Sequence, residues 1–316
     1  MYNATKWIVR NGLKLYLRKI HIDGLQYIPT NKPALLVANH PNAFLDALII
    51  AAFMERPIHF LARGDAFNNK LFGSILKSFN LMPVYRISEG KENIGKNTST
   101  FDATQEILKK NGMVLIFGEG WCEQNWDLRP LKKGSARIAE RAWSEPQTET
   151  TVIVPIGLTY EHFDGGGKSV IMSVGKAITP AENTQNESGA AFVKWLNSRI
   201  TESIKTLAYF NPMLQINSTE HQQIMRSWKK AERNKLNILE ILYQPIPTDI
   251  KAASASILPS GFHKAVITLP HYWAMQIMSK LFTKGTVFYD SVLFALVVLF
   301  LPAYLALLIY LVSILL

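Results

Sequence analysis

One histidine and one aspartate lie close together in a stretch that could carry acid–base chemistry. Five residues separate His40 from Asp46, and Asp46 is the only acidic residue between Asp23 and Glu55. A histidine with a carboxylate beside it is the minimum set for a general base whose tautomer is fixed. The alternative is a structural histidine followed by an acid that caps a helix, and these two residues alone leave both interpretations open.

The residues around this pair predict the elements that position it. The apolar run from Ala34 to Ala38 is typical of a buried strand. Pro41 and Asn42 interrupt that strand and favour a turn. The apolar stretch 43–53 is then long enough for a helix. His40 is therefore expected at a strand end and Asp46 in the first turn of a helix, where a rigid scaffold commonly presents catalytic groups.

Two further apolar runs end at an arginine. Ile58 to Ala62 leads into Arg63, and Leu81 to Tyr85 leads into Arg86. A guanidinium group fixed at a strand end can hold a phosphate through two parallel hydrogen bonds. Two ordinary surface arginines are the alternative.

Another pair of apolar runs lies on either side of a glycine-rich acidic turn. Met113 to Phe117 predicts a buried strand and runs directly into Gly118, Glu119 and Gly120. A basic segment, 128–139, follows and predicts a helix start, and Thr151 to Gly157 predicts another strand. Glycines at such a turn permit close backbone approach and positive φ angles.

Taken in order, these blocks resemble the glycerolipid acyltransferases, the superfamily of lysophosphatidate and glycerol-3-phosphate acyltransferases. The resemblance covers residues 34–160 and rests on Asn39-His40 with its following acid, the run ending at Arg86, Phe117-Gly118-Glu119-Gly120, the segment 128–139, and Val154-Pro155. The family usually has four residues between the histidine and the acid. The five found here resemble a variant in some bacterial members and in the fungal-type glycerol-3-phosphate acyltransferases. Gly118 stands where the family has proline.

The resemblance implies an α/β fold with a mixed central sheet flanked by helices. To this fold the uncharged apolar stretch 291–316 adds a C-terminal membrane segment. The resemblance also implies O-acyl transfer from a fatty acyl thioester to a hydroxyl of a phosphate-bearing glycerolipid precursor, either 1-acylglycerol 3-phosphate or glycerol 3-phosphate. His40 would be the general base and Asp46 its orienting partner, with backbone donors at the oxyanion.

The remaining site residues follow from the same resemblance. The expected substrate-binding residues are Arg63, Arg86, Glu119, Gly120 and Lys132. The cations among them would hold the acceptor's phosphate, and Glu119 would orient the acceptor or brace Arg86. Acyl-CoA or acyl carrier protein would be a co-substrate, and no cofactor is expected. No metal is implied either, because the sequence has no cluster of His, Cys and Asp with ligand spacing.

Composition predicts a membrane partner. The formal net charge is +10, from 34 Lys and Arg against 24 Asp and Glu, which suits nucleic acid or an anionic membrane surface. Residues 291–316 carry no charge at all, and a helix of that length exceeds the roughly 30 Å hydrocarbon core. This stretch favours the membrane over nucleic acid. Pro302 leaves open whether it spans or re-enters.

The flanks of this stretch predict its orientation and role. Lys280 and Lys284 precede it, so the positive-inside tendency places the catalytic domain on the cytoplasmic side. The single cysteine, Cys122, excludes an internal disulfide and fits a reducing compartment. We expect the stretch from Ser291 to anchor the protein and to take no part in the chemistry.

A basic stripe marks the first residues. Lys6, Arg10, Lys14 and Arg18 recur four apart, which indicates a basic amphipathic helix on a membrane surface. The alternative is a helix packed on the domain with a solvated basic face. The predicted organisation is a basic membrane-surface helix at 1–22, an acyltransferase catalytic domain at 23–210, a basic helical extension and linker at 211–260, and an interfacial helix with a transmembrane or re-entrant anchor at 261–316.

Other functional classes stay open. A thioesterase or lipase could use the same His–Asp pair on water, and a catalytically weak membrane-binding protein is a further alternative. Cys122 could act as a nucleophile with His40, although a thioester donor needs no acyl-enzyme. Residues 165–169 imitate a phosphate-binding loop, but His162 occupies the position of its first glycine, so a hairpin turn is the better interpretation.

Overall fold

The computed structural model describes residues 2–68, 70–85, 97–215, 218–233, 237–243, 262–283 and 286–315. Within these ranges a seven-stranded sheet has the order β1-β7-β6-β2-β5-β3-β4. The strands are β1 Lys19–Asp23, β2 Ala34–Ala38, β3 Ile58–Arg63, β4 Leu81–Val84, β5 Met113–Phe117, β6 Val152–Tyr160 and β7 Ser169–Val174.

Helices flank the sheet and continue beyond it. They are α1 Tyr2–Tyr16, α2 Ala43–Phe53, α3 Lys70–Ser78, α4 Asn97–Lys109, α5 Lys133–Ser144, α6 Gly189–Leu207, α7 Thr219–Arg233, α8 Ile238–Leu242, α9 Phe262–Thr283 and α10 Tyr289–Leu315. Short 3₁₀ turns occur at Leu25–Tyr27, Gly64–Phe67 and Pro180–Glu182. The mixed α/β architecture expected from the sequence is confirmed.

Strand direction gathers the sequence blocks at one edge. The strands β2, β3, β4, β5 and β6 all run parallel, whereas β7 is antiparallel to β6 and β1 pairs parallel with β7. The residues that follow β2 and β5 therefore meet at the carboxyl edge of the sheet, where open α/β sheets bind ligands. His40 and Glu119 are two of these residues.

Alternate residues of the central strands face two separate cores. Leu36 of β2 and Leu115 of β5 pack with Ile49 of α2 and with Leu13 of α1. Val37, one residue on, belongs to the opposite core with α5 and α6. This period of two is the geometry of a strand buried on both faces. It explains why β2 and β5 are apolar throughout, and it fixes the strand end from which His40 emerges.

The first helix is shorter than predicted. We expected a basic helix over 1–22, but α1 ends at Tyr16 and Lys19–Asp23 is the edge strand β1, paired with β7 from Lys19 opposite Ser169. Short charged strands are common at sheet edges. Because β1 mixes charged and apolar residues, its sequence is also compatible with the end of a helix.

The basic stripe of α1 is only partly free for a membrane surface. Lys6 donates to the carbonyl of Met54 at the end of α2, where a helix terminus attracts a cation. Arg18 pairs with Glu161 at 2.9 Å. Arg10 and Lys14 remain exposed. Lys6 and Arg18 are thus bonded to protein groups, and Arg18 lies beyond the end of α1. Binding of this helix to a membrane surface stays a prediction.

The region 211–260 is not simply an extension, because α7 packs on the body. Trp228 of α7 is fully buried, and Glu232 of α7 contacts His21 of β1 at 2.9 Å. The predicted linker after Tyr243 lies outside the described residues. Further along, α10 is apolar over Tyr289–Ile314 and long enough to cross a membrane.

Candidate active site

His40 and Asp46 are in direct contact. The Nδ1 atom of His40 lies 2.9 Å from Oδ2 of Asp46, which is fully buried in the first turn of α2. In the described part of the chain, Asp46 is the only hydrogen-bond partner of the imidazole ring. A carboxylate at Nδ1 favours the tautomer with a proton there, so Nε2 keeps its lone pair. The side chain is 19% exposed, so a substrate hydroxyl can reach it.

The turn between the two residues accommodates five residues through an unusual backbone conformation. Ala43 has φ of +48°, a left-handed conformation that costs energy for a residue with a side chain. Its N–H donates to Sγ of Cys122 at 2.9 Å. The N–H of Asn42 donates to Oδ2 of Asp46 at 2.8 Å. The strained turn thus brings the start of α2 under His40.

Tyr160 completes the environment of Asp46. Its hydroxyl donates to Oδ1 of Asp46 at 2.6 Å from the end of β6. Burial, together with the negative charge of Asp46, raises the pKa of Tyr160 well above its usual value, so the phenol is a donor. Sequence reasoning missed this residue, because no local pattern relates positions 46 and 160.

Two side chains fix the end of strand β2 and the imidazole. The side-chain amide of Asn39 exchanges two hydrogen bonds with the backbone of Leu158, at 2.9 and 2.7 Å. The ring of Phe117 stacks on the His40 ring with centroids 3.8 Å apart and planes 10° apart. The imidazole is therefore held on one face and at one nitrogen, while Nε2 stays available.

Glu119 lies beside the pair and is bonded to protein groups. Oε1 accepts from the backbone N–H of His40 at 2.8 Å. Oε2 accepts from Nε of Arg129 at 2.9 Å, and the side chain is buried. The residue therefore holds the strand end that carries His40 and braces a cation. That cation is Arg129, whereas the sequence suggested Arg86.

Arg129 is a second residue that sequence reasoning missed. Its guanidinium also donates to Glu123 at 3.2 Å and to the carbonyl of Trp121 at 2.7 Å. These contacts fix one positive charge close to Glu119. The only signal in the sequence is its position in the basic segment before α5. That segment contains several cations, and the sequence does not distinguish Arg129 from the others.

Gly120 and Lys132 are brought together at the start of α5. Gly120 has φ of +65°, and a Cβ atom there would lie 3.0 Å from Cγ of Lys132. The N–H of Lys132 donates to the carbonyl of Gly118 at 2.8 Å. Glycine is required at 120 for both reasons, and the exposed Lys132 side chain starts from the same edge as His40.

Of the two arginines expected to hold phosphate, the structure describes only Arg63. Arg63 ends β3, two strands from β2, which is about 10 Å at ordinary strand spacing. Its guanidinium is half exposed and pairs with Asp65, from Nε at 3.1 Å and from a second nitrogen. Arg86 lies outside the described residues.

Cys122 is poorly suited to act as a nucleophile. Burial and the nearby charge of Asp46 raise the pKa of its thiol far above the ordinary value, and a thiol that stays protonated is unreactive. It serves instead as an acceptor for the turn at Ala43.

The apolar stretch predicted to be only an anchor contacts this site. The side chain of Asn42 donates to Asp290 at 2.8 Å, and the N–H of Leu45 donates to Oγ of Ser291 at 3.0 Å. Asp290 and Ser291 begin α10. The predicted anchor therefore also packs against the turn between His40 and Asp46, while the expectation that it takes no part in the chemistry stays a prediction.

Comparison with known proteins supports the resemblance. A family model described as Acyltransferase matches residues 19–159. The 1-acyl-sn-glycerol-3-phosphate acyltransferase of Bacillus subtilis is 28% identical over 141 residues, which cover 44% of this chain and 62% of that protein. The chloroplastic 1-acyl-sn-glycerol-3-phosphate acyltransferase LPAT1 of Arabidopsis thaliana is 26% identical over 124 residues, covering 39% and 33%. The chain thus spans a third to three-fifths of the length of these relatives.

Among solved structures, the chain is similar to the 1-acyl-sn-glycerophosphate acyltransferase PlsC of Thermotoga maritima. The TM-score is 0.47 at 14% identity, covering 65% of this chain and 76% of that one. The family match contains His40, Asp46 and Glu119. Over residues 19–159 the chain is thus similar to the glycerolipid acyltransferases.

Proposed function

We propose that this protein transfers a fatty acyl group from an acyl thioester to a hydroxyl group of a phosphate-bearing glycerolipid precursor. The leading acceptors are 1-acylglycerol 3-phosphate and glycerol 3-phosphate. The observation that carries the proposal is the contact of His40 with the buried Asp46 at 2.9 Å, at the carboxyl edge of the sheet. The names of the relatives in Bacillus and Arabidopsis support the same acceptor class.

The proposed reaction is a direct transfer between the two substrates. Nε2 of His40 takes the proton of the acceptor hydroxyl as that oxygen attacks the thioester carbonyl. The tetrahedral intermediate collapses, the carbon–sulfur bond breaks, and the thiolate receives the proton from His40. Asp46 stabilises the imidazolium between these two steps, and its own position is held by Tyr160 and by the N–H of Asn42.

The acceptor's phosphate is proposed to bind the cations at the same edge. Arg63, Arg86 and Lys132 are the candidates, with Glu119 and Gly120 lining the space near His40. Arg63 would have to exchange its contact with Asp65 for the phosphate. The reaction needs no cofactor, and the donor thioester, from coenzyme A or acyl carrier protein, is a co-substrate.

We also propose that the enzyme works at a membrane, with its catalytic body on the cytoplasmic side. The apolar α10 supports the attachment. Large apolar side chains that are exposed on α1 and α9 support it further, Trp7 and Trp273 among them. The exposed Lys280, near the end of α9, agrees with the positive-inside tendency.

Purified full-length protein tests the proposal with one fatty acyl group presented on coenzyme A and on acyl carrier protein. The acceptors are 1-acylglycerol 3-phosphate, glycerol 3-phosphate and a monoacylglycerol without phosphate, and products are read by mass spectrometry. We expect phosphate-bearing acceptors to be acylated and His40→Ala to lower the rate by about 10²- to 10⁴-fold.

The matched control is His21→Ala, which removes a histidine at the far edge strand β1 and should keep the rate near that of the wild type. Near-normal turnover of His40→Ala would contradict the mechanism. Acyl release that is as fast without an acceptor as with one would instead identify a thioesterase.

A further inference from the structure

A buried network joins the start of the membrane helix to the catalytic turn. Lys168, which directly precedes β7, and Asp290 of α10 form an ion pair, and both side chains are fully buried. The hydroxyl of Tyr16 in α1 also donates to the carboxylate of Asp290. The third donor to this carboxylate is Nδ2 of Asn42, at 2.8 Å.

Asn42 links this carboxylate to the proposed catalytic one. Its side chain binds Asp290, while its backbone N–H donates to Oδ2 of Asp46 at 2.8 Å. Its other side-chain atom, Oδ1, accepts from Gln124 at 3.2 Å. A single fully buried residue therefore fixes its neighbours in the turn relative to α10.

A second contact ties α10 to the helix that carries Asp46. The N–H of Leu45, in the first turn of α2, has no partner within its own helix and donates to Oγ of Ser291 at 3.0 Å. Near the start of α10, Asp290 and Ser291 are buried and Leu293 and Phe294 lie in the core, whereas Leu299 is 73% exposed. The helix thus begins inside the catalytic body before it reaches its apolar stretch.

Net stabilisation alone is a weak explanation for this network. Removing two charges from water costs about as much as their attraction returns, so buried ion pairs add little net stability. What this pair does provide is a fixed carboxylate that orients Asn42.

We infer that Asp290 and Ser291 are positioning residues for the acyl transfer proposed above, and that the first turn of the membrane helix holds residues 40–46 in the geometry where His40 meets Asp46. The inference rests on the proposed function. Turnover then depends on the contacts of Asp290 with Asn42 and of Ser291 with Leu45, so the first turn of the membrane helix supports the catalytic residues.

Two serine variants give a matched test in the full-length protein. Ser291→Ala removes the acceptor of the Leu45 N–H. Ser279→Ala removes an equally buried hydroxyl that donates to the carbonyl of Tyr289 at 3.0 Å, so it breaks a contact between α9 and α10 and removes no contact of residues 40–46.

We expect Ser291→Ala to lower kcat about tenfold with KM for both substrates unchanged, since small displacements of catalytic groups are costly. Ser279→Ala should keep the wild-type kcat, and Ser291→Thr, which retains the hydroxyl, should restore most of it.

A second pair of variants separates positioning from stability. Asp290→Asn leaves Lys168 buried without a counter-charge, so it should lower both the melting temperature and kcat. The double change Lys168→Met with Asp290→Asn removes both charges and should recover the melting temperature while kcat stays low. Recovery of kcat together with the melting temperature would overturn the inference.

Hydrogen exchange at residues 39–46 gives a readout that does not need activity. Faster exchange there in Ser291→Ala than in Ser279→Ala supports the inference, and equal exchange with equal kcat overturns it. A wild-type protein that transfers no acyl group would overturn the proposed function instead. In that case the exchange comparison still decides whether the first turn of α10 holds the turn 40–46.

Discussion

The hydroxyl of Tyr160 donates a hydrogen bond to Oδ1 of Asp46 at 2.6 Å, while Oδ2 of the same carboxylate faces Nδ1 of His40 at 2.9 Å. Both oxygens of a fully buried carboxylate are thus occupied by donors from different elements. Rotation of Asp46 would break both contacts. Strand β6, which ends at Tyr160, therefore sets the orientation of the carboxylate that orients the proposed base.

Tyr160→Phe tests this relationship. The ring and its contacts with Lys168 and Phe163 remain, and only the hydroxyl is lost. A hydrogen bond to a charged group is worth about 1.5–3 kcal/mol. We expect part of this free energy to hold Asp46 in place in the transition state. The kcat measured in a steady-state acyl-transfer assay should therefore fall about tenfold.

The control for this change is Tyr209→Phe. Tyr209 is also buried, and its hydroxyl accepts from Asn211 at 3.3 Å, away from the pair. Tyr209→Phe should leave kcat unchanged and cause a small loss of thermal stability, similar to that of Tyr160→Phe. Equal losses of kcat in the two variants would show that Tyr160 supports only the fold.

The central strands could be predicted from the sequence because they are buried on both faces. Such strands read as continuous apolar runs, so β2 and β5 were recognised together with the residues that follow them. Parallel pairing then brings those residues to one edge without further information. The hairpin interpretation of 165–169 is also confirmed, since β6 and β7 pair antiparallel across it.

The long-range contacts could not be predicted. Lys168 lies in a segment that resembles a phosphate-binding loop, and nothing in the local sequence relates it to Asp290, its partner 122 positions away. The left-handed conformation of Ala43 was also unexpected, because alanine carries no signal for positive φ. These features depend on packing between distant elements, which a single sequence does not encode as spacing.

Arg86→Ala is expected to weaken binding of the acceptor's phosphate. A charge-assisted bond to phosphate is worth about 1.5–3 kcal/mol, so KM for a phosphate-bearing acceptor should rise about ten- to hundredfold, while KM for the acyl donor stays the same. Arg63→Ala should have a smaller effect because its guanidinium is already paired with Asp65. Steady-state kinetics with and without the acceptor's phosphate measure both; an equal loss for a neutral acceptor would mean that Arg86 braces the fold.

Membrane attachment through α1 is expected to depend more on apolar side chains than on charge. Trp7 is 68% exposed and Ile8 lies beside it, and burying a large apolar side chain contributes about 1.5–3 kcal/mol. Changing both to serine should reduce cosedimentation with anionic vesicles more than changing Arg10 and Lys14 to glutamine, since each cation contributes about 1 kcal/mol. The reverse order, with strong salt dependence, would contradict this expectation.

His162 is expected to make the fold sensitive to mild acid. Burial and the positive charge of Lys168 lower its pKa from 6.5 to about 4. Between these two values the unfolded chain binds more protons than the folded one, so the stabilisation is complete above pH 6.5 and is lost as the pH falls towards 4. For this partly exposed side chain the loss should amount to about 1–2 kcal/mol.

His162→Gln removes this titration, so its melting temperature should fall less steeply than that of the wild type between pH 6.5 and 4.5. Burial also lowers the pKa values of His59 and His221, and for this reason the variant should flatten the pH profile without abolishing its slope. Thermal unfolding of the detergent-solubilised protein at pH 7.5, 6.5, 5.5 and 4.5 measures both profiles, and the difference at pH 7.5 serves as the baseline. Two parallel profiles would mean that His162 has the same pKa in the folded and unfolded chains.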